Sequence, residues 1–292
     1  MEALEISTGN ATLDEIALSS GGGTPIRLVE WSVMFGVAVV MTVLRTYART
    51  SKNGWNGMAW DDHLVWLALA AYAVLALNVF TIDVVAEGLS NNGMTDEHRW
   101  LLANDGTYSQ EYQLRVLGSK AQLVKWFLYA LTLWLLKGSL LYFFSAWVGA
   151  GFLLLTWAAT SVTVLASCQP LTNYWQIFPD PGTMCQPAIS PILIAVFLGC
   201  NVITDVYLIS IPIPVLLKAR LRSSQKISLI CLFSCTILIT GISIVRALFM
   251  LKDPKINGDG MWDVRETFVA LVTTNIPPIV PLLRSWFACC LG

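Results

Sequence analysis

LVKWFLYALTLWLLKGSLLYFFSAWVGAGFLLLTWAATSVTVLA, residues 123–166, decides the fold. A helix needs about 20 mostly apolar residues to cross a bilayer. This run is roughly twice that length, and Lys125 and Lys137 are its only charges. It is too long for one crossing, and Gly149 and Gly151 near its middle mark a tight turn. The run therefore divides into two helices joined by an uncharged turn.

Working outward, five more runs have crossing length: Leu28–Leu44, Leu64–Ile82, Ile192–Leu217, Ile227–Leu251 and Phe268–Phe287. The expected fold is an all-α, integral membrane seven-transmembrane-helix bundle. Composition agrees. The 292 residues are 55% hydrophobic and 13% charged, with mean hydropathy +0.63, whereas a soluble chain carries about 25% charged residues. A net charge of −1 points to no nucleic-acid partner. The partners to expect are membrane lipids and a hydrophobic small-molecule substrate or ligand.

Lys and Arg near the helix ends set the orientation. Arg45, Arg49, Lys52, Lys218, Arg220, Arg222, Lys226 and Arg284 fall in short segments on one side. On the other side Arg27, Arg99, Arg115, Lys120, Lys252, Lys255 and Arg265 are spread over longer loops. This places the amino terminus outside and the carboxyl terminus in the cytoplasm. Residues 1–25 form a polar outer tail without Lys or Arg, 26–288 the membrane domain, and 289–292 a short inner tail. With no basic start for a cleavable signal, the first helix serves as an anchor. Asn10 heads a glycosylation sequon. Trp31, Trp60, Trp66, Trp126, Trp147, Trp157, Trp262 and Trp286 lie near helix ends and suggest an interfacial belt.

Of seven cysteines, Cys168 and Cys185 bracket the outer loop between helices four and five. In an oxidising compartment a disulfide between them would pin Gln169–Met184 over the bundle mouth. Cys200, Cys231 and Cys235 read as small hydrophobes inside helices, and Cys289 and Cys290 as palmitoylation candidates. No Cys/His spacing suggests a metal, and no motif suggests a cofactor.

Charges within spans are expensive and mark function or structural pairs. At 1.5 Å per residue, Lys137 and Asp205 reach the same depth, with Asn201 one turn from Asp205. They define an inner layer that extends, at its widest, to Asp61 and Asp62. An outer layer holds Asp83, Glu87, Lys125 and Arg246, with Glu266 near the top of helix seven. Thr236, Thr240 and Ser243 give helix six a polar stripe. Pro212 and Pro214 are expected to break helix five, and Pro277, Pro278 and Pro281 helix seven, with Asn275 placed to satisfy a freed carbonyl.

Several motifs now stand in order: Arg45-Thr-Tyr-Ala-Arg49, Trp60-Asp61-Asp62, Leu136-Lys137-Gly-Ser139, Cys168-Gln-Pro-Leu-Thr-Asn-Tyr-Trp175 leading to Cys185, Asn201-Val-Ile-Thr-Asp205 followed by Ile211-Pro-Ile-Pro214, Gln225-Lys226, and Ser243-Ile-Val-Arg246. Over about 26–288 the chain resembles the fungal rhodopsin-like integral membrane protein family, which includes receptor-like proteins and proteins encoded beside secondary-metabolite pathways. The resemblance implies a seven-helix bundle and supports the 168–185 disulfide. The chain departs from the family in the loop after helix two, in the uncharged turn between helices three and four, and in lacking a long tail. It does not imply light sensing. A retinal Schiff base needs a Lys in the last helix, and Phe268–Phe287 has none.

Two functions follow. The first is a cofactor-free intramembrane cyclase or isomerase acting on a hydrophobic polyketide or terpenoid by acid–base catalysis. Asp83, Glu87 or Asp205 would move the proton, Arg246 would hold an oxyanion, and Lys125, Lys137 and Asn201 would bind substrate. The second is a receptor-like sensor of a small hydrophobic ligand, to which the pinned outer loop is suited. A transporter would be expected to show an internal repeat, which is not evident.

Overall fold

The computed structural model describes the backbone of residues 5–54, 58–104, 109–143, 148–211, 213, 223–252 and 261–291. Side chains are described within 27–51, 54, 58–104, 109–142, 149–211, 213, 234–249, 261–280 and 282. The expectations for Asn10, Trp147, Pro212, Pro214, Lys218–Lys226, Cys231, Trp286, Cys289 and Cys290 therefore lie outside the described residues or side chains.

The chain is all-α, with no strand among the described residues. Among the described residues eight α-helices follow in order: α1 Glu5–Asn53, α2 Trp60–Phe80, α3 Asp96–Asn104, α4 Gln110–Phe143, α5 Val148–Ala166, α6 Pro191–Ser210, α7 Ser223–Lys252 and α8 Met261–Leu291. Among the described residues five stretches are long and apolar enough to cross a membrane: Arg27–Ser51, Trp60–Val85, Gln110–Tyr142, Gly149–Ala166 and Pro191–Ser210. In α7 the apolar stretch is Ser234–Phe249. Their outer faces carry exposed Val, Leu and Ile, as a lipid-facing surface requires. The protein is a multi-pass membrane protein.

The long central run does give two helices, α4 ending at Phe143 and α5 beginning at Val148, so Gly149 and Gly151 are not the turn. Gly149 already lies inside α5. It is buried where a Cβ would meet Leu141 and the Tyr207 ring, so its task is close helix packing. α4 also begins 13 residues before the expected Leu123 (110 against 123). The polar turns Gln110–Gln122 wind the same helix above the apolar zone, where hydropathy gives no signal. α1 starts at Glu5, and the Gly21–Gly23 run sets no boundary.

α4 is the central post, packing on α2, α5, α6 and α8, while α1 and α7 flank α8. The core runs through Tyr72, Leu75, Tyr129, Leu133, Trp134, Leu136, Phe197 and Leu271. Trp31 belongs to this core and not to an interfacial belt. It is 7% exposed, sits edge-on to Phe80 at 5.5 Å, and directs its N–H at Met261 Sδ.

α2 ends in one π-helical turn, Thr81–Val85, and the chain reverses through Glu87 (φ 53°) and Gly88 (φ 70°). Above the bundle, Cys168 and Cys185 are joined by a disulfide with Cα atoms 5.0 Å apart. The loop it closes is clamped by Arg99, which is 1% exposed. Its guanidinium donates to the carbonyls of Asn91 (2.6 Å) and Ile177 (2.9 Å) and lies 3.4 Å from Asp180. Burial draws the Arg99 pKa below its ordinary value, and Asp180 opposes that shift. The Asn91 amide completes the clamp by donating to Tyr174 O at 2.8 Å. Gly118 of α4 passes so close beneath Leu89 that a Cβ there would strike the Leu89 carbonyl oxygen.

The prolines of α8 do not break it. The helix is continuous through Pro277, Pro278 and Pro281. Pro278 has no N–H for the Thr274 carbonyl, one turn earlier. Arg45 of α1 supplies the missing donor, with Nη1 3.1 Å from Thr274 O. Asn275 does not do this work. Its amide donates to Leu271 O at 3.1 Å and to Thr42 Oγ1 at 3.3 Å.

Candidate functional site

Three buried ionic clusters among the described residues hold the helices together. The outer one joins α4, α7 and α8. Lys125 Nζ lies 2.8 Å from Asp263 Oδ2, and Arg246 Nη1 pairs with Asp263 Oδ1. Arg246 Nη2 reaches Glu266 Oε2 at 3.4 Å and donates to the Tyr129 hydroxyl at 3.3 Å. Ser243 donates to Glu266 Oε1 at 2.6 Å. The residues belong here because α7 places Ser243 and Arg246 one turn apart, and α8 does the same for Asp263 and Glu266.

The middle cluster joins α4, α6 and α7. Lys137 Nζ lies 2.9 Å from Asp205 Oδ1, a pairing that their matched depths allow. It also donates to Asn201 Oδ1 (2.7 Å), Asn201 O (2.9 Å) and Thr204 Oγ1 (2.7 Å). Thr240 donates to Asp205 Oδ2 at 2.8 Å. The polar stripe of α7 thus serves both clusters, Thr240 the middle and Ser243 the outer.

The inner cluster joins α1, α2 and α8. Arg45 Nε and Nη2 donate to Asp62 Oδ1 (2.8 Å) and Asp61 Oδ2 (2.6 Å), and Arg49 Nη2 to Asp61 Oδ2 (2.6 Å). Asp62 also caps α2, accepting from the Ala59 N–H at 3.1 Å. Asp61 and Asp62 therefore do not extend the Lys137 layer. Two arginines one helical turn apart on α1 take them instead.

The remaining candidates divide. Lys125 and Arg246 meet as expected, but Asp83 and Glu87 are not among the partners of that cluster. Asp83 lies 3.2 Å from Arg27 of α1. Glu87 is exposed on the left-handed turn after the π-helical segment. The π-turn and reversal carry α2 away from the rotation that a straight helix would give these two acids. Sequence reasoning missed Asp263 and Tyr129. Asp263 falls in a stretch read as outer loop, yet its i, i+3 spacing to Glu266 on one helix face was the available signal. Tyr129, one turn from Lys125, was masked by its apolar neighbours.

Two hollows lie beside the clusters. One, of about 60 Å³, is lined by Lys137, Asn201, Asp205, Thr240, Glu266 and Thr274 together with aliphatic side chains. At about 10–15 Å³ per water position it has room for a few waters. It connects the three levels: Glu266 belongs to the outer cluster, Lys137 and Asp205 to the middle one, and the Thr274 carbonyl is held by Arg45. The other, of about 390 Å³, is an apolar groove between α4 and α5 beside Leu64 of α2. Among the described residues no group of three or more His, Cys, Asp or Glu is placed to hold a metal ion.

A family model described as the fungal rhodopsin domain matches residues 44–285. No curated protein and no solved structure matches the chain.

Proposed function

The chain belongs to the fungal rhodopsin family, and on that footing we propose that it crosses the membrane seven times and works as a receptor-like sensor of a neutral hydrophobic small molecule. In this reading residues 26–288 form the seven-helix domain, 1–25 lie outside with a glycosylated Asn10, and 289–292 lie in the cytoplasm. The membrane is the plasma membrane or an endomembrane.

One observation carries this reading: the buried charges answer one another. Formal charges cancel between Lys125, Arg246, Asp263 and Glu266, between Lys137 and Asp205, and between Arg45, Arg49, Asp61 and Asp62. A charged ligand would find no uncompensated partner in these clusters. Pockets for small molecules run to about 300–1,000 Å³, so the polar hollow is sized for water. Packed ionic networks with two discrete arrangements are, in contrast, suitable switching elements.

A second reading rests on a different observation. Asp205 and Glu266 face the same hollow, an arrangement that supports acid–base chemistry in a cyclase or isomerase of a secondary-metabolite pathway once the bundle opens. Glu266 then takes the role first assigned to Asp83 or Glu87, with Arg246, Lys125, Lys137 and Asn201 as binding groups.

Deleting the gene separates the two. The enzyme reading requires an accumulated intermediate isomeric with the lost product by mass spectrometry. Wild type would restore the product, and Glu266→Gln or Asp205→Asn would not. The sensor reading requires an unchanged metabolite pattern in unstimulated cells and a lost transcriptional response to added neutral hydrophobic metabolites. An accumulated isomer would refute the sensor.

A further inference from the structure

We propose that the groove between α4 and α5 is a binding site for a neutral, rigid, fused-ring molecule that enters from the bilayer, and that Trp134 reports its presence to Lys137. The proposal rests on the sensor reading and gives that sensor its ligand site.

The groove is concave and apolar. Leu131, Leu135, Leu153 and Leu154 line it, with Trp134 and Trp157 among its walls. Its volume of about 390 Å³ falls within the range of small-molecule pockets. No charged side chain lines it, so the occupant is neutral. It lies on membrane-crossing stretches beside Leu154, which is 66% exposed, so the occupant arrives dissolved in lipid. Gly138 and Ala150 leave its surface smooth on both helices. A Cβ built on Gly138 would meet only Leu64 Cδ1, at 3.7 Å. Flat small-residue surfaces and indole rings match the faces of a fused ring system. A flexible acyl chain would give up rotamer freedom to fill the same space, and a rigid ring would not.

Trp134 links the groove to the polar interior. It lines the groove, and its indole N–H donates to Thr156 Oγ1 of α5 at 3.0 Å. The Lys137 ammonium lies 5.2 Å from its ring centroid, and the Phe197 ring of α6 lies 5.8 Å away. A molecule that shifts this indole disturbs a cation–π contact with the same ammonium that Asp205, Asn201 and Thr204 hold. The groove therefore bears on Lys137, which ties α4 to α6, without any charged group of its own.

The test uses the full-length chain in phosphatidylcholine nanodiscs and a sterol carrying a diazirine on its ring system. After irradiation, adducts are mapped by peptide mass spectrometry. The expected result is labelling confined to 131–142 and 150–157 and abolished by excess unlabelled sterol. Gly138→Phe and, independently, Ala150→Phe fill the groove from opposite helices and should lose the labelling. Gly151→Phe, which projects from an open position, should keep it. Labelling spread evenly over the lipid-facing helices would mean boundary lipid only and would overturn the site. So would equal labelling of the groove by a diazirine-bearing phosphatidylcholine acyl chain that sterol does not displace. A wild-type response to hydrophobic metabolites in Gly138→Phe cells would likewise overturn the groove as the sensor's site, whereas the sensor reading fails separately, if groove labelling holds but cells lacking the gene respond as wild type does.

Discussion

Replacing Lys137 by Met gives the sharpest test of how the buried charges act. Lys137 and Asp205 side chains are 9% and 11% exposed. Removing the ammonium leaves Asp205 with the Thr240 hydroxyl as its described polar partner. Breaking a buried pair from one side costs roughly 3–5 kcal/mol, because a charge is left uncompensated. Asp205→Leu should cost a similar amount. The double variant should cost far less than the roughly 6–10 kcal/mol sum of the two. Thr204 and Thr240 already have fallback acceptors in the helix carbonyls of Cys200 and Thr236. Only the Asn201 side chain then loses its Lys137 partner, a penalty of about 1–3 kcal/mol. The assay is reversible denaturant unfolding of the purified chain in mixed micelles, run as a double-mutant cycle. A double variant as unstable as the sum of the singles would refute the pairing and, with it, the closed network on which the sensor reading stands.

Three further outcomes follow from other parts of the molecule. Gly118→Ala should destabilise by about 1–3 kcal/mol through its collision with the Leu89 carbonyl, whereas Gly151→Ala, in open space, should be neutral or slightly stabilising; thermal unfolding of the two side by side checks this. Cys168→Ser should remove about 3 kcal/mol, the value for a loop of about 15 residues, and should abolish the change in non-reducing gel mobility that reduction produces in wild type. Arg45→Met should prevent accumulation of folded protein, and Arg45→Lys should not rescue it, because two carboxylates and a carbonyl are met by three separate guanidinium nitrogens; folded yield by size exclusion gives the readout.

Much of this was legible in the sequence. The Lys137–Asp205 pair follows from helical rise alone, because both residues sit on long helices of uninterrupted apolar pattern. The Cys168–Cys185 bridge follows from reading its loop as an outer one, and the Thr240 and Ser243 stripe from helical spacing. The errors arose where local geometry departs from a straight helix or where another helix intervenes. Asp83 and Glu87 lie on and beyond a π-helical turn that periodicity does not reveal. Asp61 and Asp62 were assigned by depth, but depth does not say which neighbour lies at the same level, and Arg45 and Arg49 do. Asp263 was lost because the polar first turns of α8 lower its hydropathy. Pro277 and Pro278 were read as a break because sequence shows the missing N–H donors and not the guanidinium that replaces one of them.

That replacement makes α8 a hinge with its bolt on another part. A helix with adjacent prolines bends readily, since the lost hydrogen bond no longer resists opening. Here the resistance comes from Arg45, which grips α8 by a carbonyl and α2 by two carboxylates at once. That grip falls on Thr274, before Pro278, so it fastens the near half of α8 to α1 and α2 as the base against which the half beyond Pro278 bends. Leverage at this end of the bundle is therefore shared among three helices, and one side chain sets its stiffness.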